Sequence, residues 1–529
     1  MRFIKTTGIA AAIALSTISL TALCAYAQVA TGDGVYAIVG ARIEVGGGKV
    51  IEKGTVVLRD GTIVDVGPDV KPPADAEIIK GDGLTVYPGF INAYTVKGLT
   101  LPDPVPNQDT VPDISATASP TMRIANRKGV RPELHAADLL SLTDEILKPE
   151  RQAGFTTDLI SPGGGTINGV GALVNLTGLP RRDSVVLPGV LMDFAFGTNG
   201  SGYPGSAMGI IALTRQTLLD AQYYMQVRTA FEHGSTVRPP DDPVLSALQT
   251  VVAGSMPVLY SANTEREIRR AINIADEFKL QLWINGGVEA YKASPLLASR
   301  HIPVVLSLNF GQEPGVTPTP TPGGGGGAAG GRPGGGGGGG RRNRPATTPG
   351  DVPPAGAPPA GAAPPSVQPP VTTTPRSIAP GIPEAPPVED TTPRQVIAER
   401  HVKWEEKVAN AAQLNKAGVT LVLSTTGVRN QAEFLTNLRK AIKAGLPRQA
   451  ALDALTINAA KLFKVDRQLG SVVRGKTAAL VVMNGDFVDE KTTVQYLFID
   501  KSKFEPGRDT GPIIAAPARR RPADADDAP

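Results

Sequence analysis

Cysteine and histidine are almost missing from this chain of 529 residues. It has one cysteine, Cys24, and four histidines, His135, His233, His301 and His401. A lone cysteine excludes a disulfide framework and a thiolate metal cluster. No two histidines stand at i, i+2 or i, i+4 spacing, so the sequence holds neither His-x-His nor H-E-x-x-H. G-x-S-x-G and the G-K-[ST] phosphate loop are absent too. The nearest thing to a phosphate cradle is Gly163-Gly164-Gly165-Thr166-Ile167-Asn168-Gly169, where Asn168 takes the place of the last glycine of G-x-G-x-x-G. It reads as a tight loop after a strand. Charge of one sign is also lacking. A formal net charge of +4 on a chain with 53 Lys and Arg points to neither nucleic acid nor a membrane surface as a partner. Aromatics make up only 5%.

What is plentiful is glycine and proline, 60 and 48 residues, and one segment explains much of it. Over 313–394, Gly and Pro supply 40 of 82 residues, a composition that predicts a disordered insert. Arg332, Arg341, Arg342 and Arg344 in its glycine tract fit a solvated loop better than a polyanion contact. Residues 1–27 read as an export signal. Arg2 and Lys5 precede an apolar run over 8–23, and Ala25-Tyr26-Ala27 makes a small-x-small cleavage site. The run is short and broken by Ser16, Thr17 and Ser19, so no membrane span is expected after cleavage. The expected location is periplasmic or extracellular, and the mature chain would then contain no cysteine at all. The end of the chain, 506–529, reads as a disordered tail.

Between these flanks the pattern changes twice. Val- and Ile-rich runs at 35–45 and 55–66 predict strands, with Asp60-Gly61 as a two-residue hairpin turn. From Pro88 onward, buried strands are expected at 155–160, 185–192, 256–260, 281–285 and 302–308, alternating with helices. The clearest helix is 265–278, where Ile268, Ala271, Ile272 and Ala275 share a face and Thr264 with Glu267 forms a capping box. A helix over 398–417, a strand over 419–424, a helix over 450–462 and β-runs near 472–473, 480–483 and 494–499 complete the chain. Repeated strand–helix units predict an α/β fold with a parallel sheet or closed barrel.

The stretch Tyr87-Pro88-Gly89-Phe90-Ile91-Asn92-Ala93-Tyr94-Thr95-Val96-Lys97-Gly98 resembles the first barrel strand of the amidohydrolases related to imidazolonepropionase, which reads Pro-Gly-Phe-Ile-Asp-Ala-His-x-His. Gly61 to Gly67, Ala454 to Lys461 and Gly470 to Val482 resemble further segments of that family, in the same order. The resemblance implies a (β/α)8 TIM-like barrel over 88–312 and 395–465. It also implies a small β-sandwich built from 28–87 and 466–505. The implied reaction is hydrolysis of non-peptide C–N bonds, usually in cyclic amides, with zinc or another divalent metal at the barrel mouth.

The family's ligand positions fall here on Tyr94, Val96, Asn285 and Thr426. Valine has no lone pair, and a neutral tyrosine is a poor ligand. The expectation is therefore a degenerate metal site with no cofactor and impaired catalysis. Glu289 is a candidate pocket acid and equally a helix cap. Asp138 and Asp158 are further oxygen donors, with little motif support. Three readings follow: an amidohydrolase with altered ligands, a barrel that binds a small molecule without turning it over, or a partner subunit of an active relative. Homo-oligomer and hetero-oligomer both remain open.

Overall fold

The computed structural model describes residues 34–102, 129–197, 204–236, 238–315 and 393–506. The expected export signal, nearly all of the Gly/Pro-rich insert and the tail beyond Pro506 lie outside the described residues. The chain divides into two compact units, 1–314 with 398–529, and 315–397. All the strands lie in the first.

The chain opens with β1 (Val35–Gly46), β2 (Lys49–Arg59), β3 (Thr62–Gly67), β4 (Glu77–Lys80) and β5 (Thr85–Pro88). The β2–β3 turn is the expected hairpin. Asp60 and Gly61 both take positive φ, 50° and 75°, which a twisted two-residue connection demands. Eight strands follow: β6 (Phe90–Thr95), β7 (Phe155–Ile160), β8 (Ile167–Asn175), β9 (Val185–Ala195), β10 (Val258–Ala262), β11 (Leu282–Gly286), β12 (Val304–Ser307) and β13 (Leu421–Ser424). The chain closes with β14 (Ala479–Met483), β15 (Val494–Ile499) and β16 (Ser502–Phe504).

Both chain ends enter one sheet, in the order β16-β15-β14-β5-β1-β2-β3, with β4 beside β1. The strands are hydrogen-bonded into a single continuous sheet rather than two separate layers. It curls until its far edge meets the segment before β14: Ile63 N donates to Lys476 O and Ala478 N to Gly61 O, each at 2.8 Å. Ile38, Ile43, Val56, Leu58, Leu480, Val482 and Phe498 fill the space inside the curl. The β-run expected at 472–473 forms no strand; Val472 only donates its N–H to Val45 O.

The second sheet runs β13-β12-β11-β10-β9-β8-β7-β6 and is nearly closed. It differs from a strict (β/α)8 pattern at one place. β8 is antiparallel to both neighbours, while the other seven strands run one way. The cause is local. The glycine turn at 163–165 reverses the chain directly after β7, leaving no length for a crossover helix. β8 itself is buried almost throughout.

Alternation sorts the barrel residues into two faces. Leu159, Leu191, Leu259, Val305 and Val422 gather inside with Ile91 and Ala93. Phe90, Phe194, Tyr260, Ile284, Leu306 and Leu423 face the surrounding helices, and Phe155 joins them through a register shift at the start of β7. Among those helices is Glu265–Phe278, whose capping box is complete: Thr264 accepts from Glu267 N, and Glu267 reaches back to Thr264 N.

No backbone ladder joins β13 to β6. Side chains close that seam. Asn92, fully buried, accepts from Thr425 N at 3.0 Å and donates to Thr425 Oγ1 at 2.9 Å. Thr426 Oγ1 donates to Tyr94 O at 3.1 Å. Truncating Asn92 leaves a buried N–H unpaired, which costs about 1–3 kcal/mol beyond the lost bond. Losing an exposed helix cap costs about 1 kcal/mol. Asn92→Ala is therefore expected to lower the urea midpoint clearly more than Thr264→Ala, with unchanged m-values. Equal effects would mean that Asn92 does not hold the seam.

Candidate functional site at the barrel mouth

The inward phase that buries leucine and valine lower in the barrel continues toward the carboxyl ends of the strands. Two residues beyond Leu159, Leu191, Leu259, Trp283, Val305 and Val422 stand Ser161, Asp193, Ser261, Asn285, Ser307 and Ser424. All six are buried. The interior thus turns from apolar to polar within one layer, at the end of the barrel where sites on this architecture are built.

Tyr94 crosses this layer. Its side chain is 5% exposed, and its hydroxyl donates to Asp193 Oδ2 at 2.7 Å. Ser161 Oγ donates to the same oxygen at 3.2 Å. Burial pushes the Asp193 carboxyl up to about 7, while the bonds from Tyr94, Ser161 and the Asn168 amide favour its charged form. Burial, then the Asp193 charge, holds the Tyr94 hydroxyl well above its ordinary value, so it stays a donor. Asn168 is itself fixed by Gly165 N, which donates to its Oδ1 at 2.6 Å. The glycine turn noted in the sequence therefore positions a residue beside Asp193 instead of a phosphate.

The residues singled out from the sequence separate into two groups. Tyr94 and Thr426 meet through the Tyr94 carbonyl. Asn285 lies in the same polar layer, donating to Ser261 Oγ at 2.9 Å. Val96 does not join them; it is 52% exposed past the end of β6. Glu289 is engaged elsewhere, accepting from Glu265 N at 3.0 Å, where it meets the start of the preceding helix Glu265–Phe278, and from Lys292 Nζ at 2.9 Å. Those bonds hold its carboxyl below the usual range. Asp138 is exposed. Asp158 is buried on the outer face, where burial and the nearby Glu150 carboxyl push it well above its ordinary value. Glu150 is raised to about 7 by burial, against Lys97 and a bond from Gln431.

The histidines lie away from this layer. His135 precedes a short helix, His233 ends the helix Ala207–Glu232, and His301 sits in a left-handed turn. His401 pairs with Glu313 and Glu405. Sequence reasoning missed Asp193, Ser161, Ser261, Ser307 and Ser424. Asp193 had a signal: it is the one charged residue in the apolar run Val190-Leu191-Met192-Asp193-Phe194-Ala195.

The donor set does not fit the family's divalent metal. Zinc is held by imidazole, thiolate or carboxylate. Here Tyr94 and Thr426 spend their protons on protein acceptors, Val96 offers nothing, and Asn285 is a neutral amide. Asp193 is the only carboxylate of the inward polar layer. Among the described residues, no three His, Cys, Asp or Glu side chains converge.

Residues 393–505 match the model of the amidohydrolase family. An amidohydrolase from Thermotoga maritima has the same fold, with a TM-score of 0.62 at 20% identity, over 89% of this chain and 100% of that one. The 5'-deoxyadenosine deaminase of Methanosarcina mazei is 43% identical over 51 residues, 10% of this chain and 12% of that protein, so the match spans about an eighth of that relative. A putative prolidase from Bifidobacterium longum aligns over 93% of this chain and 97% of its own, with a TM-score of 0.41 at 15% identity. The chain thus carries the sequence pattern of the amidohydrolase family over 393–505 and shares the fold of the Thermotoga maritima amidohydrolase.

Asp193, Asp158 and Glu150 all bind their protons more tightly folded than unfolded. Such groups add stability that is full below about pH 4 and is lost as pH rises, for Asp193 and Glu150 through about 7. Asp193→Asn keeps an acceptor for Tyr94 but removes one of these titrations. The variant is expected to lose less stability than the parent between pH 4 and pH 8, by a few kcal/mol. Thermal unfolding across that range measures it, and an unchanged pH slope would place Asp193 outside the titrating set.

Proposed function

We propose that this chain is an exported amidohydrolase-superfamily protein whose barrel has given up metal-dependent hydrolysis and serves to bind a small molecule. One observation carries the reading. At the first ligand position of β6 stands a tyrosine whose hydroxyl is committed to Asp193 at 2.7 Å. The inherited reaction needs hydroxide near neutral pH, and a metal supplies it by lowering the pKa of bound water from about 15.7 to about 7. A missing proton-moving carboxylate at Thr426 removes a further factor of about 10²–10⁴. With both gone, hydrolysis of cyclic amides by the family route would be very slow. The polar layer remains as a binding surface, since chemistry resides in particular side chains while the fold persists without them.

The test uses the purified chain. Elemental analysis is expected to find no stoichiometric metal, and a panel of cyclic amides is expected to remain intact. Tyr94→His combined with Val96→His should raise metal content above the parent. One tightly held metal ion per parent chain, or turnover near the ordinary enzymatic range of about 1–10³ s⁻¹, overturns the proposal.

A further inference from the structure

Asp193, Asn285 and Ser424 come from β9, β11 and β13, yet they lie at one height in the barrel. Asp193 is paired across the ladder with Leu259, and Leu259 with Trp283; Asn285 stands two residues beyond Trp283. Asn285 is paired with Val305, and Val305 with Val422; Ser424 stands two residues beyond Val422. Each step is two residues over two strands. That is the stagger of an eight-stranded barrel, in which the side chains of one layer come from alternate strands. Such a layer is usually filled by branched apolar side chains. Here it holds a carboxylate, an amide and a small hydroxyl, and none of the three is basic.

All three side chains are more than nine-tenths buried. Two of them are anchored by one atom and free at the other. Asp193 Oδ2 accepts from Tyr94 and Ser161, while Oδ1 meets no donor among the described residues. Asn285 Nδ2 donates to Ser261 Oγ, while Oδ1 meets no donor among them either. Ser424 Oγ has no hydrogen-bond partner there at all. A buried polar atom without a partner is destabilising, so three at one height call for a common one. Carboxylate and amide oxygens can only accept, and a hydroxyl oxygen accepts as well. An anion has the wrong polarity for such a set. Water brings two donors and no charge. A protonated primary amine brings three N–H bonds on one atom, with a positive charge that strengthens the bond to a carboxylate.

We propose, on the reading of the barrel as a binding site, that its ligand carries a protonated primary amine, whose nitrogen sits in this layer and donates to Asp193 Oδ1, Asn285 Oδ1 and Ser424 Oγ.

The test uses the full chain in an amine-free buffer, with n-butylammonium as the probe and isothermal titration calorimetry as the readout. Saturable binding in the millimolar range is expected of so small a ligand. Tetramethylammonium, which has the charge but no N–H, is expected not to compete, nor are potassium, n-butanol and acetate. Ser424→Ala removes an acceptor without breaking a bond within the protein, so it should fold as the parent does and bind n-butylammonium about tenfold more weakly. Asp193→Asn keeps an acceptor for Tyr94 but removes the charge, and should weaken binding further. No binding of n-butylammonium, equal competition by tetramethylammonium or potassium, or undiminished affinity in Ser424→Ala each overturns the inference. Binding of acetate or n-butanol in place of n-butylammonium overturns it too, yet leaves a barrel that binds small molecules; a tightly held metal ion would remove both.

Discussion

The hydrogen bond from Tyr94 to Asp193 decides what the barrel interior can be. A carboxyl with no solvent exposure is costly unless it is bonded. Tyr94 and Ser161 supply the bonds from β6 and from the end of β7, across the barrel from β9. The same tyrosine accepts from Thr426 through its carbonyl, and its neighbour Asn92 holds Thr425. Two positions that would present ligands to a metal in the resembling family, Tyr94 and Thr426, are therefore tied into a structural network. They fasten the seam between the first and last strands and fill the space above the apolar floor. Restoring histidine at Tyr94 would remove the donor that now satisfies Asp193, so the chemistry and the closure of this barrel compete for one residue.

Much of the fold was legible because its strands are short apolar runs between helices of the right period. The helix Glu265–Phe278 could be read residue by residue, since its apolar face and its capping box are both local features. β8 was not legible. Gly169 and Gly171 dilute its strand character, and the glycines before it look like an ordinary loop. The helix expected over 450–462 is broken at Thr456, whose φ of −130° and ψ of −93° interrupt it and whose hydroxyl turns back to Leu452 O. Nothing in its apolar pattern announced that break. At the site, the residue types at Tyr94, Val96, Asn285 and Thr426 could be read from the sequence, but their bonds could not. Tyr94 and Asp193 lie 99 residues apart, and only the closed sheet makes them partners.

A barrel scaffold and the chemistry placed on it are separable. The inward layer is polar, with Ser161, Ser307, Ser424 and Asn285 along its wall. A hydrogen-bonding interior is compatible with recognising a small molecule, because orientation there depends on a few fixed donors and acceptors. The glycine-rich turn after β7 supports the same interior from outside by fixing Asn168.

The sheet shared by the two chain ends has a consequence for how the molecule comes to exist. β5 and β14 pair edge to edge, and Tyr87 Oη meets Gly485 O across a separation of 398 residues. Contact order this high slows folding, because the loop entropy is spent before the pairing rewards it. Until the last strands are made, β5 keeps a bare edge, the kind of edge that recruits stray strands. A chain delivered across a barrier and folded afterwards would pass through that stage with every residue already present, so the edge would be covered as soon as its own partner could find it.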